Sequence, residues 1–392
     1  LGVAAGLMDI SYIIVLASGI SNVFMNLLEL ISIPIIFLSI VATISSIENI
    51  DEMKTLGRKV ILYTITTTII ACLIAIAAFA IIQPAGQTLN FVTDLNKAGN
   101  ILSCLSFISQ IIPSNMFQAF SNNSSILSVV FIALLLGSAI ITLPSKEQKT
   151  LSNLFSTLFA AILRITNFII YIMPAGIWAF VTIFVKDLKG NVSTLNELFL
   201  YTCCIFLTDL IHGGIILPLL LKIKKLSPIK IFRAMLPAIT FGMVSRSTSS
   251  ALPISIPSAE KKLGISPKVT NFTLPICASI NMNGTAVFML ITILFMMTDN
   301  GLPISIYDLI LWVVIVTLGA IGSASVPMSG YFMTSAFIAS MNVPLHILGI
   351  ILPIYSLLDM IATGLNVWSD SAITAIIDKE IKDKESIQTN EE

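Results

Sequence analysis

The chain has 392 residues, 56% of them hydrophobic and only 11% charged, with a mean hydropathy of +0.96. A soluble chain of this size carries about a quarter charged residues, so the deficit calls for an apolar solvent, a lipid bilayer. The 21 basic residues balance the 21 acidic ones, which leaves no electrostatic footprint for nucleic acid. Cys72, Cys104, Cys203, Cys204 and Cys277 sit in apolar stretches without metal-ligand spacing, as small apolar fillers do.

The chain opens at Leu1 in an apolar run without the basic segment and cleavage site of a signal peptide, and the expectation is a shortened first helix. Further along, 23–44, 60–82, 126–142, 165–185 and 198–221 are each apolar over the length of a membrane span, about 20 residues. The connections alternate in charge. Lys54, Arg58 and Lys59 lie in one, Lys146 and Lys149 in another, and Lys222, Lys224, Lys225, Lys230 and Arg233 form a strongly basic run. Basic loops stay on the cytoplasmic side, and consistent alternation then puts the charged tail 379–392 inside as well. The expected location is the inner (cytoplasmic) membrane, crossed several times.

Beyond Arg233 the pattern changes. Residues 234–262 are apolar at both ends, but the middle reads Ser245-Arg246-Ser247-Thr248-Ser249-Ser250-Ala251-Leu252-Pro253. A second such segment, 305–340, centres on Gly322-Ser323-Ala324-Ser325-Val326-Pro327-Met328-Ser329-Gly330. Backbone interrupted this way leaves N–H and C=O groups unpaired, and in a membrane it must be buried in protein or line a wet cavity. Two helical hairpins that enter and return on one side meet that condition; two kinked helices are the plainer alternative. Each segment precedes a long apolar helix, 268–297 and 344–377. A broken segment plus a helix, occurring twice, points to an inverted-repeat transporter with its site at the repeat interface.

The last helix carries Asp359, Thr363, Asn366 and Asp370, which fall on one stripe at about 100° per residue. An intramembrane carboxylate costs about 2.5–3.5 kcal/mol or more, so two on one stripe ask for cations, amines or donors; an ion pair with Arg246 answers for one of them. Asn281-Met282-Asn283-Gly284-Thr285 interrupts the preceding helix with poor helix formers. Unwound carbonyls there suit a small hard cation, while asparagines that bond neighbouring helices are the plainer reading. Thr66-Thr67-Thr68 adds hydroxyls in an early span.

These motifs resemble those of the dicarboxylate/amino acid:cation symporter family, the glutamate-transporter homologues. The likeness covers nearly the whole chain. It lies in Ser247-Thr248-Ser249 with Leu252-Pro253, in Asn281-Met282-Asn283-Gly284-Thr285 against the family's Asn-Met-Asp-Gly-Thr, in Gly322 to Pro327, and in Asp359, Thr363, Asn366 and Asp370 in order and spacing. The resemblance implies an all-α polytopic membrane protein of the glutamate-transporter-homologue fold. Such a fold has about eight transmembrane helices, the first truncated here, and two re-entrant hairpins in an inverted repeat. It implies a homotrimer in which the substrate-carrying part moves as an elevator against a scaffold. Scaffold helices would occupy 1–58 and 101–197. The first transport-domain helix and an outer loop would occupy 59–100, and the transport core 198–378.

Carried onto this chain, the resemblance implies that Asp359 binds a substrate α-amino group. Thr363 and Asn366 would flank the substrate, with the hairpin tips (Arg246, Ser247, Thr248 and Ser249; Ser325 and Val326) and Thr285 closing around it. Asp370 with oxygens near Asn281 and Asn366 would hold one sodium ion. Ala320, Ile321 and Ser323 with Ser279 and Met282 would hold another, and Thr67, Thr68, Asn281 and Asn283 match part of a third site. Three departures matter. Ala362 stands where acidic-substrate members place an arginine, and without its bidentate partner a neutral amino acid is the better expectation. Arg246 is the candidate to take over that role in the alternative, sodium- or proton-coupled symport of glutamate, aspartate or a dicarboxylate. Asn283 replaces an aspartate and removes a charge from the third cation site, and Met328 stands where the second tip usually has glycine.

Other classes fit less well. Intramembrane aspartyl proteolysis needs carboxylates facing each other from two helices, whereas Asp359 and Asp370 lie about 16 Å apart along one helix. His212 and His346 stand alone without zinc spacing, and no phosphate loop supports ATP-driven transport. A channel needs neither broken segment. The expectation is a sodium-coupled symporter without an enzymatic cofactor, its partners being substrate, sodium ions and lipid.

Overall fold

The computed structural model describes residues 1–8, 10–45, 50–85, 112–121, 126–188, 193–302, 304–323, 328–341, 343 and 346–391. Every regular element among them is a helix. In chain order these are α1 (Gly2–Met8), α2 (Ser11–Ser45), α3 (Ile50–Ile82), α4 (Met116–Ser121), α5 (Ile126–Ile141), α6 (Ser145–Leu188) and α7 (Ser193–Ile211). A π-helical turn, His212–Ile216, leads into α8 (Leu217–Ile223). Then come α9 (Pro228–Ser245), α10 (Thr248–Leu263), α11 (Pro267–Ile280), α12 (Asn283–Asp299), α13 (Ile306–Gly322), α14 (Ser329–Ser340) and α15 (His346–Glu391).

Among the described residues, four stretches are long and apolar enough to cross a membrane: Leu56–Ile82, Leu195–Ile223, Pro267–Asp299 and Leu348–Asp383. Helix boundaries follow local chemistry. Ser227, Ser266 and Ser305 cap α9, α11 and α13, each accepting a backbone N–H of the first turn, and proline at the first position pre-sets φ for α9 and α11. Asp308 returns the bond to Ser305 and completes a capping box. Gly264, with φ +68°, ends α10 in the left-handed conformation that glycine adopts without strain.

Two apolar cores result. One gathers α2, α5, α12, α14 and the start of α15; the other gathers α8, α9, α10, α11 and the later half of α15. Among the described residues, α3, α7 with α8, α11 with α12, and α15 each run from one core into the other. At the crossing, apolar side chains give way to Thr64, Thr67, Thr68, Asn281, Asn283, Asn366, Ser369 and Asp370, all buried. α12 is buried on every side from Asn283 to Thr298, which explains a sequence apolar all round rather than on one face.

The ends of the crossing helices are tied together by charge. Glu380 on α15 accepts hydrogen bonds from Lys59 and Tyr63 of α3 and from Lys224 after α8. The bond to Glu380 holds the Lys224 ammonium above the usual lysine range. Asp378 accepts the backbone N–H of Ser266 at 3.0 Å, pinning the start of α11. Over the stretch expected as a charged tail, 379–392, α15 continues as helix through Glu391.

Candidate functional site

The helix expected over 268–297 breaks at Asn281 and Met282, whose φ/ψ of −95/69° and −103/59° lie outside the helical region. The break frees backbone groups at the level of the polar belt, and the α15 stripe supplies their partners. Asn366 Oδ1 accepts the N–H of Gly284 at 2.8 Å, while its Nδ2 donates to Thr285 Oγ1 at 3.2 Å and approaches Met282 Sδ at 3.3 Å. Gly284 is required here. A Cβ on it would lie 2.6 Å from Ala362 Cα and 2.7 Å from Ala362 O, backbone atoms that cannot step aside.

Asn281 Nδ2 donates to Asp370 Oδ1 at 2.8 Å. Only the amide nitrogen can donate to a carboxylate, so the amide oxygen of Asn281 faces α3, 3.3 Å from Thr67 Oγ1. Thr67 Oγ1 also lies 2.9 Å from Tyr63 O, 3.1 Å from Thr64 O and 3.5 Å from Asn283 Oδ1. Thr68 Oγ1 is 2.8 Å from both Thr64 O and Asn283 Oδ1. A hydroxyl has one proton to give, so most of these approaches set oxygen against oxygen. Such a surplus of hard oxygens is what a small cation relieves. Asn283 closes the belt by donating to Ser369 Oγ at 2.8 Å, with His212 Nε2 3.2 Å from the same nitrogen. Thr66 is exposed and takes no part.

At the other end of the stripe, Asp359 accepts from the Met328 N–H and the Tyr355 hydroxyl, each at 3.2 Å. Thr363 turns its hydroxyl back to Asp359 O at 2.7 Å. Arg246 makes no ion pair with Asp359; it donates to Ser356 Oγ at 3.2 Å, one turn earlier on α15, and its charge acts on Asp359 through space. Arg246 and Met328 share a feature that spacing does not reveal. Both have positive φ, 52° and 67°, one joining α9 to α10 and the other starting α14. A side chain in this region is strained by about 1–2 kcal/mol, and such strain collects at functional turns.

Ser247 caps α10, accepting from Ser250 N at 3.2 Å, and Thr248 ties that cap to Ala278 O at 2.6 Å; Ser249 stands half-buried beside them. Ser325 and Val326 lie outside the described residues. Ala320 is buried and Ile321 packs on the second core. The hydroxyls of Ser323 and Ser279 bond within their own helices, to Ala320 O and Pro275 O. The structure therefore gathers Thr67, Thr68, Asn281, Asn283 and Asp370 into one cluster and Met282, Thr285 and Asn366 into an adjoining one. It records no bond between Ser323 and Ser279 or Met282. Among the described residues no group of three His, Cys, Asp or Glu side chains assembles for a metal ion.

The profile of the sodium:dicarboxylate symporter family matches residues 1–380. The chain belongs to that family. Its relatives in the family include excitatory amino acid transporter 3 of mouse, 25% identical over 91% of this chain and 78% of the relative. Neutral amino acid transporter A of human is 25% identical over 91% and 74%. A symporter of Haemophilus influenzae is 26% identical over 89% and 82%. The family consists of sodium-coupled membrane transporters and not of enzymes.

Sequence reasoning missed one group in this region. Asp209 lies in the apolar span 198–221 and is buried. The signal was available: a lone carboxylate inside a membrane segment marks a functional position.

Proposed function

We propose that this chain is a sodium-coupled symporter of an amino acid with a neutral side chain. The observation that carries the reading is the α15 stripe, which presents one carboxylate to a strained N–H and a tyrosine and the other to a cluster of surplus oxygens. Asp359 takes the substrate α-amino group, with Thr363, Asn366, Thr285, Ser247, Thr248, Ser249, Ser325 and Val326 around it. Asp370 with Asn281 and Asn366 holds sodium. Thr67, Thr68 and Asn283 form a further cation position of lower charge, and Ala320, Ile321, Ser323, Ser279 and Met282 form another.

Ala362 favours the neutral side chain, since it offers a substrate carboxylate no bidentate partner. One observation favours a second reading, uptake of glutamate, aspartate or another dicarboxylate. Arg246 is half-buried and, among the described residues, its guanidinium has a single hydrogen bond, to Ser356, one turn from Asp359, so it has donors to spare.

In this reading α9–α10 and α13–α14 are re-entrant hairpins, 234–262 and 305–340, of a transport domain built from 59–100 and 198–378. That domain moves as an elevator against a scaffold of 1–58 and 101–197 within a homotrimer. The protein sits in the inner (cytoplasmic) membrane with α15 ending in the cytoplasm. The test is uptake into proteoliposomes under an imposed sodium gradient, with labelled serine, alanine, aspartate, glutamate and cystine. Concentrative, sodium-dependent uptake of a neutral amino acid that aspartate does not inhibit is expected. Uptake of aspartate would transfer the anion-binding role to Arg246, and no sodium-driven uptake of any of these would sink the symport reading.

A further inference from the structure

The most one-sided charge on the chain lies where the span Leu195–Ile223 ends. Lys222, Lys224, Lys225, Lys230 and Arg233 cluster there, and no acidic residue stands between Asp209 and Glu260. Lys224 is used inside the protein, donating to Glu380 at 2.6 Å with the Tyr63 ring beneath it. Lys222, Lys225, Lys230 and Arg233 are exposed and, among the described residues, form no ion pair. Nearby acids already have partners. Glu380 accepts from Lys59, Tyr63 and Lys224, Asp378 from Ser266 N and Lys382, and Glu260 from Thr270. Asp383 lines a recess between α8 and α15 together with Lys225 and Lys379, one acid against two lysines. Lys225 also has a φ of 56°. Its N–H bonds Lys222 O, and the N–H of Leu226 bonds Leu221 O, each at 2.9 Å. This is the helix-ending position that glycine takes without strain. A lysine there carries a backbone cost, and such strain collects at functional turns.

The apolar counterpart of this charge is on α9. Ile229, Phe232 and Leu236 are exposed and share one helix face by their spacing of three and four. Lys230 and Arg233 flank that face, and Ile223 is exposed at the end of α8. Exposed apolar side chains beside uncompensated lysine and arginine, at the end of a membrane span, match the headgroup level of a bilayer. Acyl chains cover the apolar face, the aliphatic stems of the basic residues lie along it, and phosphates meet their charged ends. A zwitterionic headgroup brings its own ammonium and leaves the excess positive charge unanswered, whereas an anionic phospholipid answers it. The helix that carries the candidate site touches this surface. Phe232 packs edge-on against Trp368, ring centroids 5.2 Å apart, and Trp368 Nε1 donates to Gly213 O at 2.9 Å. Trp368 stands on α15 between Asn366 and Asp370, so a molecule lying on Phe232 is one ring away from the helix of the polar belt.

We propose that the turn from α8 into α9 binds an anionic phospholipid, its phosphate on Lys222, Lys225, Lys230 and Arg233 and its acyl chains on Ile229, Phe232 and Leu236. The bound lipid supports uptake through Phe232 and Trp368. That effect on uptake rests on the symport reading; the binding does not. Thermal unfolding of the purified chain in detergent, with added phosphatidylglycerol, phosphatidylcholine or inorganic phosphate, tests the binding. Phosphatidylglycerol is expected to raise the unfolding temperature saturably, and the other two to leave it unchanged. Replacing the four basic residues together (Lys222→Gln, Lys225→Gln, Lys230→Gln and Arg233→Gln) should raise the half-saturating phosphatidylglycerol about tenfold or more. In vesicles of equal parts phosphatidylcholine and phosphatidylglycerol, sodium-driven uptake should exceed that in phosphatidylcholine alone by about fivefold. Phe232→Leu should keep the binding and abolish that difference. Equal stabilisation by phosphatidylcholine, stabilisation by inorganic phosphate alone, or unchanged binding by the quadruple variant would overturn the site. Equal uptake in the two kinds of vesicle would overturn its link to transport. Absence of all sodium-driven uptake would sink the symport reading and leave the lipid site standing. Should the quadruple variant fail to fold, as judged by size-exclusion chromatography, Lys230→Gln with Arg233→Gln takes its place, and the wild-type response to the three additives decides by itself.

Discussion

The two ends of the α15 stripe handle the same chemical problem differently. Asp359 is held by a backbone N–H and a phenol, with a guanidinium nearby that does not touch it. Asp370 has one strong amide donor and stands beside hydroxyl and amide oxygens that outnumber their protons. Among the described residues neither carboxylate has a direct cationic partner. The first environment supplies donors and leaves room for an amine, while the second supplies further acceptors and so selects a bare cation. Identical side chains on one helix face acquire distinct roles from what the neighbouring helices present.

Substitutions sharpen the contrast, and the largest effects fall on the two carboxylates. Asp359→Asn should raise the substrate concentration for half-maximal uptake by about 100-fold or more, since removing one member of a buried charge pair costs about 3–5 kcal/mol. Asp370→Asn should instead raise the half-saturating sodium concentration by about tenfold or more, with little change in substrate affinity at saturating sodium. Titrations of sodium and of substrate on each variant would break the comparison if both shifted the same quantity.

A smaller effect is expected at Ala362. Ala362→Arg introduces a bidentate carboxylate partner, and a charge-assisted bond of about 1.5–3 kcal/mol should improve inhibition by aspartate about tenfold or more. Competition against labelled neutral substrate measures it, and unchanged inhibition would remove Ala362 as the selectivity position. The smallest change belongs to Asn283→Asp. It adds a carboxylate beside Thr67 and Thr68 and should lower the half-saturating sodium concentration by about threefold, roughly 0.6 kcal/mol. A higher sodium requirement would argue that the amide, not a charge, suits this position.

Much of this was legible in the chain itself. Composition and span length announced the membrane, and the order of Asp359, Thr363, Asn366 and Asp370 announced one helix face, because helical periodicity is local. The interruption at Asn281 to Thr285 was legible for the same reason: poor helix formers in an apolar run weaken the ladder where they stand. The bond from Asn281 to Asp370 joins positions 89 residues apart, and no local pattern encodes it.

What the sequence determined by itself, then, is the solvent, the helices and the residues that face one another along a single helix, all consequences of hydrophobicity and period. Only the tertiary structure decided which side chains meet across helices. It drew Thr67 and Thr68 to Asn283, set Arg246 on Ser356 rather than Asp359, put Met328 in a conformation suited to glycine so that its N–H reaches Asp359, and left Asp209 without a partner. The physical reason is that hydrogen bonds and unpaired charges depend on distances of a few ångströms between remote parts of the chain, and packing alone sets those distances.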